Sequence, residues 1–260
     1  MLLDRRRFLE AVPALFPAAA QPAPETEPRK TRFYILEQFY LENGSQPARI
    51  HDFFSKTLIP SVQRIHKGPC IALEALIAPH MPQVAMILGI ESLNQIYSIS
   101  QSLFGDKSFS QAFDQWEAGE PPYVSASAAL LEATPYSPEI ATPEKPPSAP
   151  RVFELRTYHS PTARQAKALH QRFAGPEIKI FHRVGVHPLF YTSTVFGLNR
   201  PNLTYLIPFD TLAAREKAWN AFGADEEWVR VRKESIDRSG QISNVIQMSL
   251  YRATPYSPIR

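Results

Sequence analysis

The sequence predicts an α+β protein built from two tandem copies of one β-α-β-β-α-β unit, and three observations predict it. The hexapeptide Ala133-Thr134-Pro135-Tyr136-Ser137-Pro138 returns 120 residues later as Ala253-Thr254-Pro255-Tyr256-Ser257-Pro258. Working back from each copy, aromatic-rich extended runs and amphipathic stretches follow in the same order. The 25 prolines, against only 10 glycines, also pair across the halves: Pro47 with Pro161, Pro60 with Pro176, Pro69 with Pro188 and Pro82 with Pro201. Their spacing drifts between 114 and 120 residues, as diverged copies with small loop insertions should behave.

Each element has its own justification. The runs Phe33 to Tyr40 and Val152 to Tyr158 are rich in aromatic and branched residues, which makes each a first strand. A helix opens near Pro47 in one half and near Pro161 in the other, where Ser160 is placed to cap and proline suits the first helical position. Ile50, Phe53 and Phe54, and Ala166, Leu169 and Phe173, supply its buried face at helical spacing. Two strands follow, Cys70 to Ala78 with Gln83 to Ile90, and Leu189 to Phe196 with Asn202 to Phe209. The turns hold Pro79 and Pro82, or Asn199 and Pro201, so both pairs read as hairpins. Second helices run Leu93 to Phe104 and Thr211 to Phe222, each stopped by the next glycine, Gly105 or Gly223. Val124 to Glu132 and Ser243 to Arg252 complete the sets. This order is the ferredoxin-like unit, a four-stranded antiparallel sheet with its helices on one face. One unit alone leaves a sheet face bare, more apolar surface than a soluble monomer tolerates, so the two copies are expected to pack sheet to sheet within the chain. The copies span 32–138 and 151–258, joined by a Pro-rich linker at 139–150.

Composition narrows the function. A 260-residue chain that is 44% apolar and 20% charged can bury one large core or two smaller ones. A net charge of +3, with basic residues scattered among acids, is no nucleic-acid footprint. No GxGxxG, GxxxxGK[ST], HExxH or GxSxG occurs, which removes the usual sequence evidence for nucleotide, zinc or serine-hydrolase chemistry. Cys70 stands alone, so it reads as a small buried apolar side chain. His182 and His187 straddle a turn at Gly185 too loosely to signal a metal, and His170 lies within a helix. No cofactor or metal is expected. At the N-terminus, Asp4-Arg5-Arg6-Arg7-Phe8-Leu9-Glu10 precedes a short apolar stretch and Pro17-Ala18-Ala19-Ala20. Residues 1–20 resemble a twin-arginine export signal, with Arg5, Arg6, Phe8 and Leu9 matching; Asp4 and Glu10 depart from its usual residues. The resemblance implies a periplasmic or secreted mature protein. The apolar stretch falls far short of the roughly 20 residues of a membrane span.

In the second half, Phe153-Glu154-Leu155-Arg156-Thr157-Tyr158 and the stretch from Arg215 through Trp219, Phe222 and Asp225 to Trp228 resemble the signature segments of the NIPSNAP family. Those signatures are E-L-R-x-Y on the first strand and R-x-x-x-W-x-x-F-x-x-D-x-x-W on and after the second helix. The first half resembles them only weakly, with Ile35, Glu37 and Phe39 at the corresponding places. The resemblance implies the dimeric α+β barrel, made here within one chain, so that a monomer is expected to suffice, with a higher oligomer as the alternative. Some relatives on that barrel hold haem through a histidine, but nothing in this sequence singles out an axial ligand.

Strand alternation puts Glu154, Arg156 and Tyr158 on one face of the first strand, and Phe153 and Leu155 on the other. We expect Phe153 and Leu155 to face the helices and the polar set to point into the barrel. Glu37 takes the place of Arg156 in the first half, so the two would meet across the pseudo-twofold axis. Either they form a buried ion pair that holds the halves in register, or Arg156, Tyr158 and Tyr191 line a small-molecule pocket with Glu37 and Glu154 beside them. Trp219, Phe222 and Trp228 read as core between helix and sheet. Three functions remain: binding a small organic ligand in the inter-sheet cavity, which is preferred; a cofactor-independent oxygenase or isomerase; and a non-catalytic assembly protein.

Overall fold

In the computed structural model, residues 31–141 and 149–260 are described. The export-signal expectation at 1–20 and most of the linker lie outside these residues. The first half contains β1 (Phe33–Tyr40), α1 (Ser45–Phe53), a π-helical turn (Phe54–Leu58), α2 (Ile59–Ile65), β2 (Cys70–Ile77), β3 (Gln83–Ile90), α3 (Asn94–Gly105), α4 (Lys107–Glu117) and β4 (Ser125–Ala133). The second repeats it as β5 (Val152–His159), α5 (Ala163–Arg172), a π-helical turn (Phe173–Glu177), α6 (Ile178–Arg183), β6 (Phe190–Phe196), β7 (Asn202–Phe209), α7 (Leu212–Ala224), α8 (Glu226–Ser239) and β8 (Val245–Ala253).

All eight strands join in one closed antiparallel barrel in the order β1-β3-β2-β8-β5-β7-β6-β4. The two four-stranded sheets meet at two seams, β2 with β8 and β4 with β6. The first half's helices cover the outside of its own sheet through Ile50, Phe53, Phe54, Phe109 and Trp116. Leu169, Phe173, Phe181 and Phe222 do the same in the second half.

Counterparts lie a constant 119 residues apart from the first strand to the last helix: Phe39 and Tyr158, His51 and His170, Arg64 and Arg183, Asp106 and Asp225. A one-residue insertion raises the spacing to 120 at β4 and β8. This corrects two of the proline pairs. Pro69 with Pro188 and Pro82 with Pro201 are equivalent positions; Pro47 with Pro161 and Pro60 with Pro176 are not.

Three local expectations also need correction. Thr162, not Ser160, caps α5 by accepting from the Gln165 amide, while Ser160 donates to the Ile242 carbonyl. Gly223 does not stop α7. In both halves an unforeseen further helix, α4 or α8, begins at an extended aspartate whose side chain caps it. Asp106 is bound there by Arg64 at 2.6 Å and Asp225 by Arg183 at 2.7 Å, so each kink is pinned from the opposite helix.

The duplicated hexapeptides perform an exchange. Thr134 and Ser137 of the first half clasp Tyr191 of the second: the Thr134 amide donates to the Tyr191 carbonyl and the Tyr191 amide to Ser137 Oγ. Thr254 and Ser257 clasp Ala72 of the first half in the same way. Tyr136 then reaches His170 at 2.7 Å, and Tyr256 reaches His51 at 2.8 Å. Beyond the clasps, Ile140 and Ile259 enter the interior cluster and plug that end of the barrel.

Candidate functional site

The interior of the barrel takes Tyr34, Leu36, Phe153, Leu155, Phe190 and Leu206. Phe153 and Leu155 therefore point inward, and the expected orientation of β5 is reversed. Glu154, Arg156 and Tyr158 face the helices of their own repeat, as does Tyr191 on β6. Glu37 faces the helix side of the first half, because its neighbours on that face, Ile35 and Phe39, pack into the helix-covered cluster. With β1 and β5 four strands apart around the barrel and both side chains pointing outward, Glu37 and Arg156 do not meet. Burial raises the Glu37 carboxyl above its ordinary value, and it has no ion-pair partner among the described residues.

Glu154 is instead the anchor of a cluster beneath α7. Its fully buried carboxylate accepts from Arg215 Nε at 2.6 Å and from the Trp219 indole at 2.8 Å, and pairs with Arg156 Nε at 2.7 Å. The Arg156 guanidinium lies 3.9 Å from the centre of the Trp219 ring and donates to Tyr158 at 3.2 Å. The signature residues thus lock helix to sheet. Phe222 and Trp228 pack together in the same cluster with ring centres 4.3 Å apart, in keeping with their reading as core.

A second acid in this compartment escaped the sequence reading. Glu177, at the end of a π-helical turn broken by Gly175, is fully buried and held by Arg172 Nε at 2.7 Å. Among the described residues its other oxygen has no partner, nor does the buried Tyr191 hydroxyl. Burial pushes the Glu177 carboxyl up to about 7, partly offset by Arg172 and then Arg156. A buried polar atom left unpaired costs about 1–3 kcal/mol. Nothing in the local sequence marks Glu177; the signal would have been its alignment with apolar Leu58, 119 residues earlier.

The open space lies elsewhere. A cavity of about 720 Å³ occupies the unplugged end of the barrel between the two sheets. Leu36, Leu131 and Leu155 form its floor, and the walls carry amides and hydroxyls, among them Gln38, Gln83, Thr157, Asn202, Thr204 and Gln247. Among the described residues no Asp, Glu, Lys or Arg lines it, and His80 stands in its wall with Nε2 on the Leu41 carbonyl. The wall groups are held in place: Gln38 and Gln83 both donate to Tyr251 Oη, Thr157 and Thr204 are 3.0 Å apart, and Asn199 donates to Gln247. None of the five expected site residues lines this cavity. His182 and His187 do stack, 5.0 Å apart, and no group of three or more metal-ligating side chains exists among the described residues.

The NIPSNAP family profile matches residues 153–258, the span that contains the Glu154 cluster. Over that span the chain is similar to the NIPSNAP family. The first half repeats the same order of elements in the same barrel. No curated protein matches the chain. Among solved structures, a putative monooxygenase from Lactobacillus acidophilus aligns at 9% identity with a TM-score of 0.53, covering 87% of this chain and 98% of that one. An anthrone oxidase-like protein aligns at 12% identity and TM-score 0.52, over 86% of this chain and 92% of that one. A putative chlorite dismutase aligns at 13% identity and TM-score 0.50, over 87% and 96%. At these identities the likeness shows the fold alone, the dimeric α+β barrel. Among the described residues no helix is long and apolar enough to cross a membrane.

Proposed function

We propose that this protein binds a small, uncharged, hydrogen-bonding organic molecule in the cavity between its two sheets. The observation that carries this is the lining: about 720 Å³ of space walled mostly by amides and hydroxyls over an apolar floor, with His80 in the wall and no Asp, Glu, Lys or Arg among the described residues that line it. Burying an ionic ligand there would leave its charge unpaired, whereas a neutral one exchanges water for amides and hydroxyls. The test is native mass spectrometry of the gently purified protein, followed by calorimetric titration with whatever neutral compound is retained. Ser249→Trp, which fills the cavity, is expected to abolish binding, and Arg156→Ala to leave it unchanged. Loss of binding in Arg156→Ala with the cavity intact would move the site beneath the helices and overturn the reading.

A second reading, catalysis in the second repeat, is favoured by Glu177 alone. Its buried carboxyl, poised near 7 and close enough for its charge to act on Tyr191, suits a group that takes up and returns a proton beside a carbonyl compound. Deuterium incorporation next to the carbonyl of small ketones in heavy water, lost in Glu177→Gln, is the expected outcome; equal incorporation by both proteins would end this reading. The Arg5-Arg6 segment supports placing the protein outside the cytoplasm, which cell fractionation with Arg5→Lys/Arg6→Lys as comparison checks.

A further inference from the structure

The rim of the cavity is as unusual as its wall. The antiparallel order brings the ends of β2 and β6 and the starts of β4 and β8 to the same, unplugged end of the barrel. There both seams are only half zipped: β2 pairs with β8 only up to Leu250, and β4 with β6 only from Leu130. The remaining halves of β8 and β4 bond on one side alone, to β5 and β1. Around this opening stand Ile77, Met81, Phe196 and Leu198, with Val124 and Val245 beside them and Ile246 and Met248 on the outer face of the half-paired β8, opposite Tyr158 and Arg156. These eight are more than half of the fifteen large apolar side chains exposed among the described residues. Ile77 and Phe196, 64% and 67% exposed, occupy equivalent places in the two repeats, and Leu198 is 80% exposed. Apolar surface concentrated at the mouth of a cavity marks a contact surface rather than scattered exposure.

Resting on the reading of the cavity as a neutral binding site, we infer that its ligand is an uncharged amphiphile. The polar head sits among Gln38, Thr204, Asn202 and Gln247, and a hydrocarbon tail leaves through the half-open seams across Phe196, Leu198 and Ile77. The chemistry fits in both parts. Amides and hydroxyls satisfy a hydroxyl, ester or amide head without needing a counter-charge, and a chain lying on the collar buries side chains that otherwise face water. A headgroup alone would leave the collar unexplained; an anionic head would meet no lysine or arginine among the described residues of the wall.

Titration of the purified protein with glycerol monododecanoate, glycerol and dodecanoate, the two amphiphiles kept below the concentration at which they aggregate, separates the possibilities. The monoester is expected to bind at least about 100-fold more tightly than glycerol, since each buried methylene is worth a several-fold gain, and at least about 10-fold more tightly than dodecanoate, whose carboxylate would be buried without a counter-charge. Ile77→Ser/Phe196→Ser/Leu198→Ser, changes at exposed positions that leave the core intact, is expected to remove most of that advantage. Gln247→Lys is expected to shift preference toward dodecanoate. If tail-free neutral molecules bind as well as the monoester, the neutral cavity stands and the amphiphile inference fails. If dodecanoate binds the unaltered protein best, or if no neutral probe binds while the protein remains folded, both fail.

Discussion

The two repeats are an internal control for each other. They share the scaffold devices: the Arg64–Asp106 and Arg183–Asp225 pins, the π-helical turns, and the reciprocal Tyr256–His51 and Tyr136–His170 contacts. They differ in what lies between helices and sheet. Where the second repeat has Glu154, Tyr158, Glu177, Tyr205 and Arg215, the first has Ile35, Phe39, Leu58, Met86 and Ile96. The same fold is therefore packed once, Glu37 apart, with hydrocarbon and aromatic rings and once with a buried polar network. The first half shows that this arrangement of helices on sheet can be packed largely without such a network.

The sharpest way to break this comparison is Glu154→Ala, which strands Arg156 and Arg215 without their carboxylate. It is expected to lose about 3–5 kcal/mol in urea unfolding. Converting the cluster toward the first repeat's character, Glu154→Ile with Arg156→Met and Arg215→Ile, is expected to recover most or all of that stability. Failure to recover would mean that the network is structural after all. Next in size is Glu177. Its folded value, about 7, lies above its ordinary 4.5, so the unfolded chain releases this proton first as pH rises. Its contribution is thus fully present below about pH 4.5 and is lost as pH climbs to about 7, by roughly 3 kcal/mol at most. Glu177→Leu, the residue of the first half, is expected to remove that slope from the difference between the two stability–pH curves.

Smaller effects test what the repeats share. Ser137→Ala and Ser257→Ala each leave a buried strand amide, of Tyr191 or Ala72, without its acceptor, and about 1–3 kcal/mol should be lost in both cases. A large effect in only one would show that the clasps are not equivalent. The least change is expected from Arg64→Ala and Arg183→Ala, because both arginines are largely exposed and such pairs contribute little. Thermal melts of the two should be nearly superimposable on the unaltered protein.

The comparison also shows where sequence reading succeeds. Strand bounds such as Gln83–Ile90 and Asn202–Phe209 were legible because turn prolines fence them and both faces carry apolar or branched side chains. The helices α4 and α8 were missed because their start is an aspartate at an interhelical kink, whose partners Arg64 and Arg183 stand 42 residues earlier in the chain. The cavity was foreseen as a place, yet its lining was assigned to the wrong residues. The polar wall comes from Gln38, Thr157, Thr204 and Gln247, ordinary strand residues with no motif to mark them.

The sequence by itself determined the duplication, the order of elements, the ferredoxin-like unit and the NIPSNAP signatures, because each is written in local pattern or in repetition. It also determined that Glu154, Arg156 and Tyr158 share one face of a strand. Which face lies inward was decided only by the tertiary structure. Period-two alternation labels two faces without saying which is which, and β5 is covered on both: by the opposite sheet over Phe153 and Leu155, and by α7 over Glu154 and Arg156. The partners that settle the matter, Arg215 and Trp219, stand about 60 residues away in the chain and meet Glu154 only when the helix docks.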